Sequence, residues 1–230
     1  MGLTRRQILG AGAVTGFAAL EAKFASAALA LSPDISHGSR AIPRVALTFH
    51  GNGDSANAKK LLEIFKATKT PVTVFAVGTW LKANPTLAGQ IIDQGHDIGN
   101  HTYSHTQMKT IPAVKVDSEI SLCANLLKKQ IGNHGAFFRP SGTQYSTALI
   151  RKTAAKYGYA NCISYDVDSH DYQDPGKAAV ISNTMKAVKN GSIISLHFGH
   201  QNTIDALPTL LEKLHAQGLT PVTLTTLLGK

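Results

Sequence analysis

The chain has 230 residues, 43% of them hydrophobic, and a formal charge of +9, which suits one sizeable core and one domain rather than two. No segment approaches the roughly 20 apolar residues that a membrane span needs, because Glu21 and Lys23 interrupt the N-terminal run. The excess of basic residues suits an anionic surface such as a cell wall; Lys59, Lys60, Lys128, Lys129, Lys152 and Lys156 sit on solvated faces of predicted helices, and no nucleic-acid motif accompanies them, so a nucleic-acid partner is excluded.

At the N-terminus, Arg5 and Arg6 precede a weakly apolar run from Ile8 to Leu20, and Ala25-Ser26-Ala27 offers a small-residue cleavage site. This pattern resembles a twin-arginine export signal, which is a receptor-read address and not an anchor. Residues 1–30 are therefore expected to be a signal peptide, 31–43 a linker and 44–230 the folded domain of a secreted or cell-envelope protein. A monomer is expected. Export would permit a disulfide, but Cys123 shares an apolar helix face with Ile120 and Leu127, which favours two buried free thiols.

In chain order, Arg44 to Phe49 reads as a strand ending at His50-Gly51-Asn52-Gly53-Asp54, where two glycines allow a sharp turn. Ala58, Leu61, Leu62 and Phe65 give a helical stripe, and Pro71 to Val77 a nearly continuous apolar strand. Pro85 begins a helix with Leu87, Ile91 and Ile92 inward, and Gly95 stops it. The short strand Asp97-Ile98-Gly99 delivers His101 and His105, four residues apart and so on one face if that turn is helical. Asp117 or Ser118 is placed to cap a helix with Ile120, Cys123, Leu127 and Ile131 on its apolar face, ended by Gly132.

The strand Ala136 to Phe138 leads to Arg139, and Ser146 caps a helix running to Tyr157. Ala160 to Val167 reads as a strand that runs into Asp168 and Asp171. A helix from Ala178 to Val188 precedes the buried strand Ser192 to Leu196, which ends at His197. Ile204, Leu207, Leu210, Leu211 and Leu214 form an amphipathic helix, and Leu219 to Thr223 is the last strand. About seven strands alternating with helices imply an α/β fold. Polar residues spread over at least five strand ends favour closure into a parallel (β/α) barrel, TIM-barrel-like, over an open sheet, which gathers them at one switch point.

Two imidazoles that can meet one small cation make a divalent metal, with zinc first, the leading expectation. From Arg44 to Thr223 the chain resembles the polysaccharide deacetylase family, carbohydrate esterase family 4. The resemblance rests on Gly95-His96-Asp97-Ile98-Gly99-Asn100-His101-Thr102-Tyr103-Ser104-His105, Phe138-Arg139-Pro140-Ser141-Gly142, Tyr165 to Tyr172, and Ser195-Leu196-His197. It implies that residues 44–230 are a catalytic domain with the irregular barrel of the family and that His101 and His105 bind the metal. His197 would be the catalytic acid, Asp171 the group that orients it, and Arg139 the holder of the catalytic carboxylate. Tyr172, Pro140 and Leu196 would contact substrate, an N-acetylated polysaccharide.

The first motif departs from the family's Thr-Phe-Asp-Asp-Gly, whose first Asp is a base and whose second is a metal ligand. This chain has Thr48-Phe49-His50-Gly51-Asn52. Two assignments follow: Asp54 completes a His, His, Asp site with His50 as base, or His50 completes a three-histidine site with Asp54 as base held by Arg139. The family's pairing of one carboxylate with two imidazoles favours Asp54 on the metal. The implied activity is removal of N-acetyl groups from peptidoglycan or a chitin-like polymer. The alternatives are a catalytically impaired glycan-binding protein on the same fold and an O-acetyl esterase acting on hemicellulose.

Overall fold

The structure, a computed structural model, describes residues 33–230. The arginine pair and the expected cleavage site lie outside the described residues. β1 (Arg44–Gly51) is central, pairing in parallel with β2 (Thr73–Ala76) on one side and β5 (Ile193–His197) on the other. The order is β3 (Asp97–Asn100), β2, β1, β5, β4 (Val167–Asp168), with β6 (Thr220–Pro221) paired to the start of β1. Every strand pair is parallel, as helical crossovers require.

The helices between them are α1 (Ser55–Thr68), α2 (Gly78–Ala83), α3 (Leu87–Asp93), α4 (Ala113–Ile131), α5 (Ala148–Lys156), α6 (Lys177–Met185), α7 (Gln201–Ala216) and α8 (Leu224–Leu228). Among the described residues none is long and apolar enough to cross a membrane.

Two expected strands are present in reduced form. Residues 136–139 run beside β3, with Ala136 N donating to the Ile98 carbonyl at 2.9 Å and Arg139 N to the Asn100 carbonyl at 3.0 Å. Phe138 forms single bridges to Asn100 and to Cys162, so the parallel series continues past β3 without a regular ladder. Of the run expected from 160 to 167, only its end is a strand.

Side-chain parity along β1 and β5 separates two layers, because successive residues of a strand face opposite sides. Val45, Leu47 and Phe49 join Ile194 and Leu196 in the main core against the helices. Ala46 and Ile193 lie in a smaller inner cluster with Phe75, Phe137 and Ile163. The same inner file continues upward as Thr48 beside Ser195 and His50 beside His197, in register.

Several local expectations change. α4 begins at Ala113 after Pro112, one turn before Asp117, because Val116 is fully buried one helical turn ahead of Ile120 and extends the apolar face. Thr147, not Ser146, caps α5, accepting from Ile150 N. Ile92 is 40% exposed while Ile91 is buried. The segment 34–40, expected as linker, is bonded to the domain: Ile35 bridges Ile163, Ser146 N donates to Asp34, and Arg40 pairs with Asp166 at 2.6 Å. Cys123 and Cys162 are buried free thiols, each pushed up to about 12 by burial.

Candidate active site

The inner file of β1 and β5 and the loop after β3 meet at the C-terminal end of the strands. There His50, His101 and His105 each offer a ring nitrogen, all within 4.8 Å of one another. His50 stands 4.4 Å ring to ring from His101, and His101 5.0 Å from His105. The two loop histidines reach this position without a helical turn. Residues 101–105 form an irregular loop with left-handed backbone at Thr102 (φ 69°) and His105 (φ 58°).

The donor set fits a divalent cation. His101 donates from Nδ1 to the Arg139 carbonyl at 2.9 Å, which fixes the tautomer and leaves Nε2 with a lone pair. That Nε2 is buried and has no hydrogen-bond partner, an orphan that a metal would satisfy. Burial, then repulsion from neighbouring imidazoles, holds His50 and His101 well below the ordinary histidine range. Desolvation lowers His105 as well. All three are thus in the neutral, ligating form at neutral pH.

Asp54 is placed differently from the expectation. Its exposed carboxylate caps α1, Oδ1 accepting from Ala56 N at 2.8 Å, and it is not in the histidine group. An aspartate just ahead of a helix gains from this bond, which keeps it out of the strand-end cluster. Neither does Arg139 hold it. The guanidinium, 1% exposed, donates to the carbonyls of Ile163 and Ser164 and to Thr48 Oγ1, and lies 3.3 Å from His50 Nε2. Stacked 4.2 Å from the Phe75 ring centroid and pulled down to about 9 by burial, it has no carboxylate among these partners.

The position of the second family aspartate is closed as well as changed. A Cβ on Gly51 would lie 2.9 Å from Val74 Cγ1 and 3.1 Å from Ala76 Cα. Two residues on, Gly53 (φ 89°) passes so close to Gly199 that a Cβ would stand 2.6 Å from its Cα, which joins the loops after β1 and β5.

His197 faces this group from β5, its ring 4.3 Å from that of His50. Its Nδ1 donates to Asp171 Oδ1 at 2.7 Å, and its backbone N to Oδ2 at 2.8 Å. Thr203 adds an Oγ1 donor to Oδ2 at 2.6 Å. Burial alone would raise the Asp171 carboxyl, and the bonds from His197 and Thr203 outweigh it, so the group stays lowered and charged. Thr203 and Asn202, whose Nδ2 donates to the Asp171 carbonyl at 3.1 Å, belong to no motif that would mark them in the sequence.

A cavity of about 260 Å³ opens over these groups, lined by His50, His105, Tyr172, His197 and His200 together with the two glycine loops. Tyr172 is 44% exposed and meets the His197 ring edge-on at 5.3 Å. Leu196 and Pro140 are not in this lining. Leu196 points to the opposite face of β5 into the core, and Pro140 is buried. Trp80 is a core residue whose Nε1 donates to the Gly53 carbonyl at 3.0 Å.

Comparison with known proteins adds to this geometry. The polysaccharide deacetylase family model matches residues 37–162. A peptidoglycan-N-acetylglucosamine deacetylase from Bacillus cereus is 30% identical over 188 residues, 80% of this chain and 87% of its own length. A chitooligosaccharide deacetylase from a Bradyrhizobium species is 26% identical over 68% of this chain and 71% of its own. A solved CE4 family pseudoenzyme from Bacillus anthracis superposes with a TM-score of 0.79 at 26% identity, covering 86% of this chain and 69% of that one. A mutant of that pseudoenzyme with restored enzymatic activity is matched with the same TM-score at 28% identity, covering 86% and 72%.

Proposed function

Because the chain belongs to the polysaccharide deacetylase family, we propose that it is a metal-dependent hydrolase removing N-acetyl groups from an extracytoplasmic polysaccharide of peptidoglycan or chitin type. The observation that carries this reading is the convergence of three neutral imidazoles beside the His197–Asp171 pair. His50, His101 and His105 would hold the ion, and a three-imidazole set suits zinc. When bound, such an ion polarises the acetyl carbonyl and acidifies water.

The protein's own residues then divide the proton work. As one of the residues that would hold the ion, His50 would not be free to serve as base. His197, with Nδ1 fixed on Asp171, presents Nε2 as the acceptor. It takes a proton from the attacking water and returns it to the departing nitrogen, so one residue acts in turn as base and acid. Water oxygen bonds to the carbonyl carbon, the carbon–nitrogen bond breaks, and acetate and a free amine leave. The anionic Asp171 steadies the imidazolium between the two transfers.

Acetate release from N-acetylated chitooligosaccharide tests the reading. His197→Ala is expected to lower turnover by about 10²–10⁴-fold with zinc content unchanged; wild-type turnover in that variant would remove His197 from the mechanism. A second reading, a glycan-binding protein without turnover, is favoured by two observations: Arg139 lies against His50 where the family places a carboxylate, and a CE4 pseudoenzyme shares the fold. It predicts zinc binding with no acetate released from any N-acetylated glycan.

A further inference from the structure

Between His101 and His105 the backbone turns left-handed twice, at Thr102 and at His105 itself. A non-glycine residue in that region is strained and persists only where its surroundings over-determine it. Part of the restraint comes from the end of β3 and the first turn of α2. Thr102 N donates to Asn100 Oδ1 at 2.8 Å, and the carbonyls of Thr102 and Tyr103 accept from Gly78 N at 3.0 Å and Thr79 N at 2.8 Å. These bonds leave the amides of Tyr103 and Ser104, on the far side of the loop, without backbone acceptors.

Glu119 supplies them. Its Oε2 accepts from Tyr103 N at 2.9 Å and Ser104 N at 2.8 Å, and its Oε1 from Ser104 Oγ at 2.6 Å. The carboxylate thus fills the concave amide pair that a turn of this kind turns toward an anion. Its platform is fixed: α4 is buried on both sides of Glu119 through Val116, Ile120 and Cys123, and Asn100 Nδ2 donates to the Ile120 carbonyl at 2.9 Å. Glu119 and Ile120 therefore tie the two ends of the same loop to one helix.

We propose that Glu119 is the positioning residue of the metal loop, holding the backbone between His101 and His105 in the bent form that aims both imidazoles at one ion. The proposal rests on the reading of those histidines as ligands. Charge-assisted bonds to a carboxylate are about twice as strong as neutral ones, and groups hydrogen-bonded behind metal ligands typically govern affinity by about 10–100-fold.

Zinc affinity measured by competition with a chromophoric chelator tests it, with amide exchange of Tyr103 and Ser104 in the metal-free protein as the readout independent of zinc. Glu119→Ala is expected to bind zinc about 10–100-fold more weakly and to expose both amides, while exchange in β1 stays that of the wild type. Glu119→Gln keeps the shape and one acceptor oxygen, and is expected to fall between the two. Zinc affinity equal to wild type in either variant, with both amides still protected, would overturn the role of Glu119. His101→Ala is run beside them: if it too binds zinc as the wild type does, the three-histidine reading fails, and exchange at Tyr103 and Ser104 then decides alone whether Glu119 holds the loop.

Discussion

The loops after β1 and after β3 feed the same site but are built in opposite ways. After β3, a loop with two left-handed residues is held by the side chains of Asn100 and Glu119 and by the backbone amides of Gly78 and Thr79, so that His101 and His105 face one point. After β1, the strand itself continues through Gly51, pairs with Ala76 and places His50 by register alone; the turn that follows has its carboxylate engaged at the start of α1. A cluster of donor side chains can arise by geometry where the motif is incomplete: the β3 loop keeps both histidines of its motif, and the β1 strand end brings the His50 imidazole beside them.

The comparison is broken most strongly at Gly51. If that position is closed to a side chain, Gly51→Asp, which writes one family aspartate back, is expected to destabilise the protein by about 1–3 kcal/mol through overpacking. Its zinc affinity should not rise. Denaturant midpoints and chelator competition measure the two effects, and a Gly51→Asp variant that keeps wild-type stability and binds zinc more tightly would show the β1 loop to be as adaptable as the β3 loop.

A smaller change sharpens the same contrast. Asp54→Ala removes the cap of α1 and is expected to cost about 1 kcal/mol, read as a lower denaturant midpoint with an unchanged slope. Acetate release from chitooligosaccharide should persist at the wild-type rate. Loss of activity without loss of stability would give Asp54 a role at the site that its hydrogen bond to Ala56 does not suggest.

Much of this site could be read from the chain, and the failures have physical causes. His101, His105, His197 and Asp171 sit in short ordered motifs at strand ends, and parallel strands bring such ends together. The parity of β5 is legible too: with His197 turned inward, Leu196 faces the core, away from the cavity over the histidines. Asp54 was not decidable, because an aspartate that caps a helix and one that binds a metal look alike in a Gly-Asn-Gly-Asp turn. Glu119 and Thr203 act from helices distant in sequence from the groups they hold, and nothing local marks them. The strands expected near Phe138 and Cys162 are reduced to single bridges; an apolar run does not reveal whether its ladder is regular. α4 began a turn early because burial of Val116 outweighed the capping preference of Asp117.

The central claim is that His50, and not Asp54, completes the metal site with His101 and His105. Zinc content of the purified wild type, His50→Ala and Asp54→Ala proteins, measured together by elemental analysis after the same dialysis, tests it most directly. The account predicts about one ion per chain in the wild type, the same in Asp54→Ala, and loss of most of it in His50→Ala. Zinc retained by His50→Ala and lost from Asp54→Ala would contradict it.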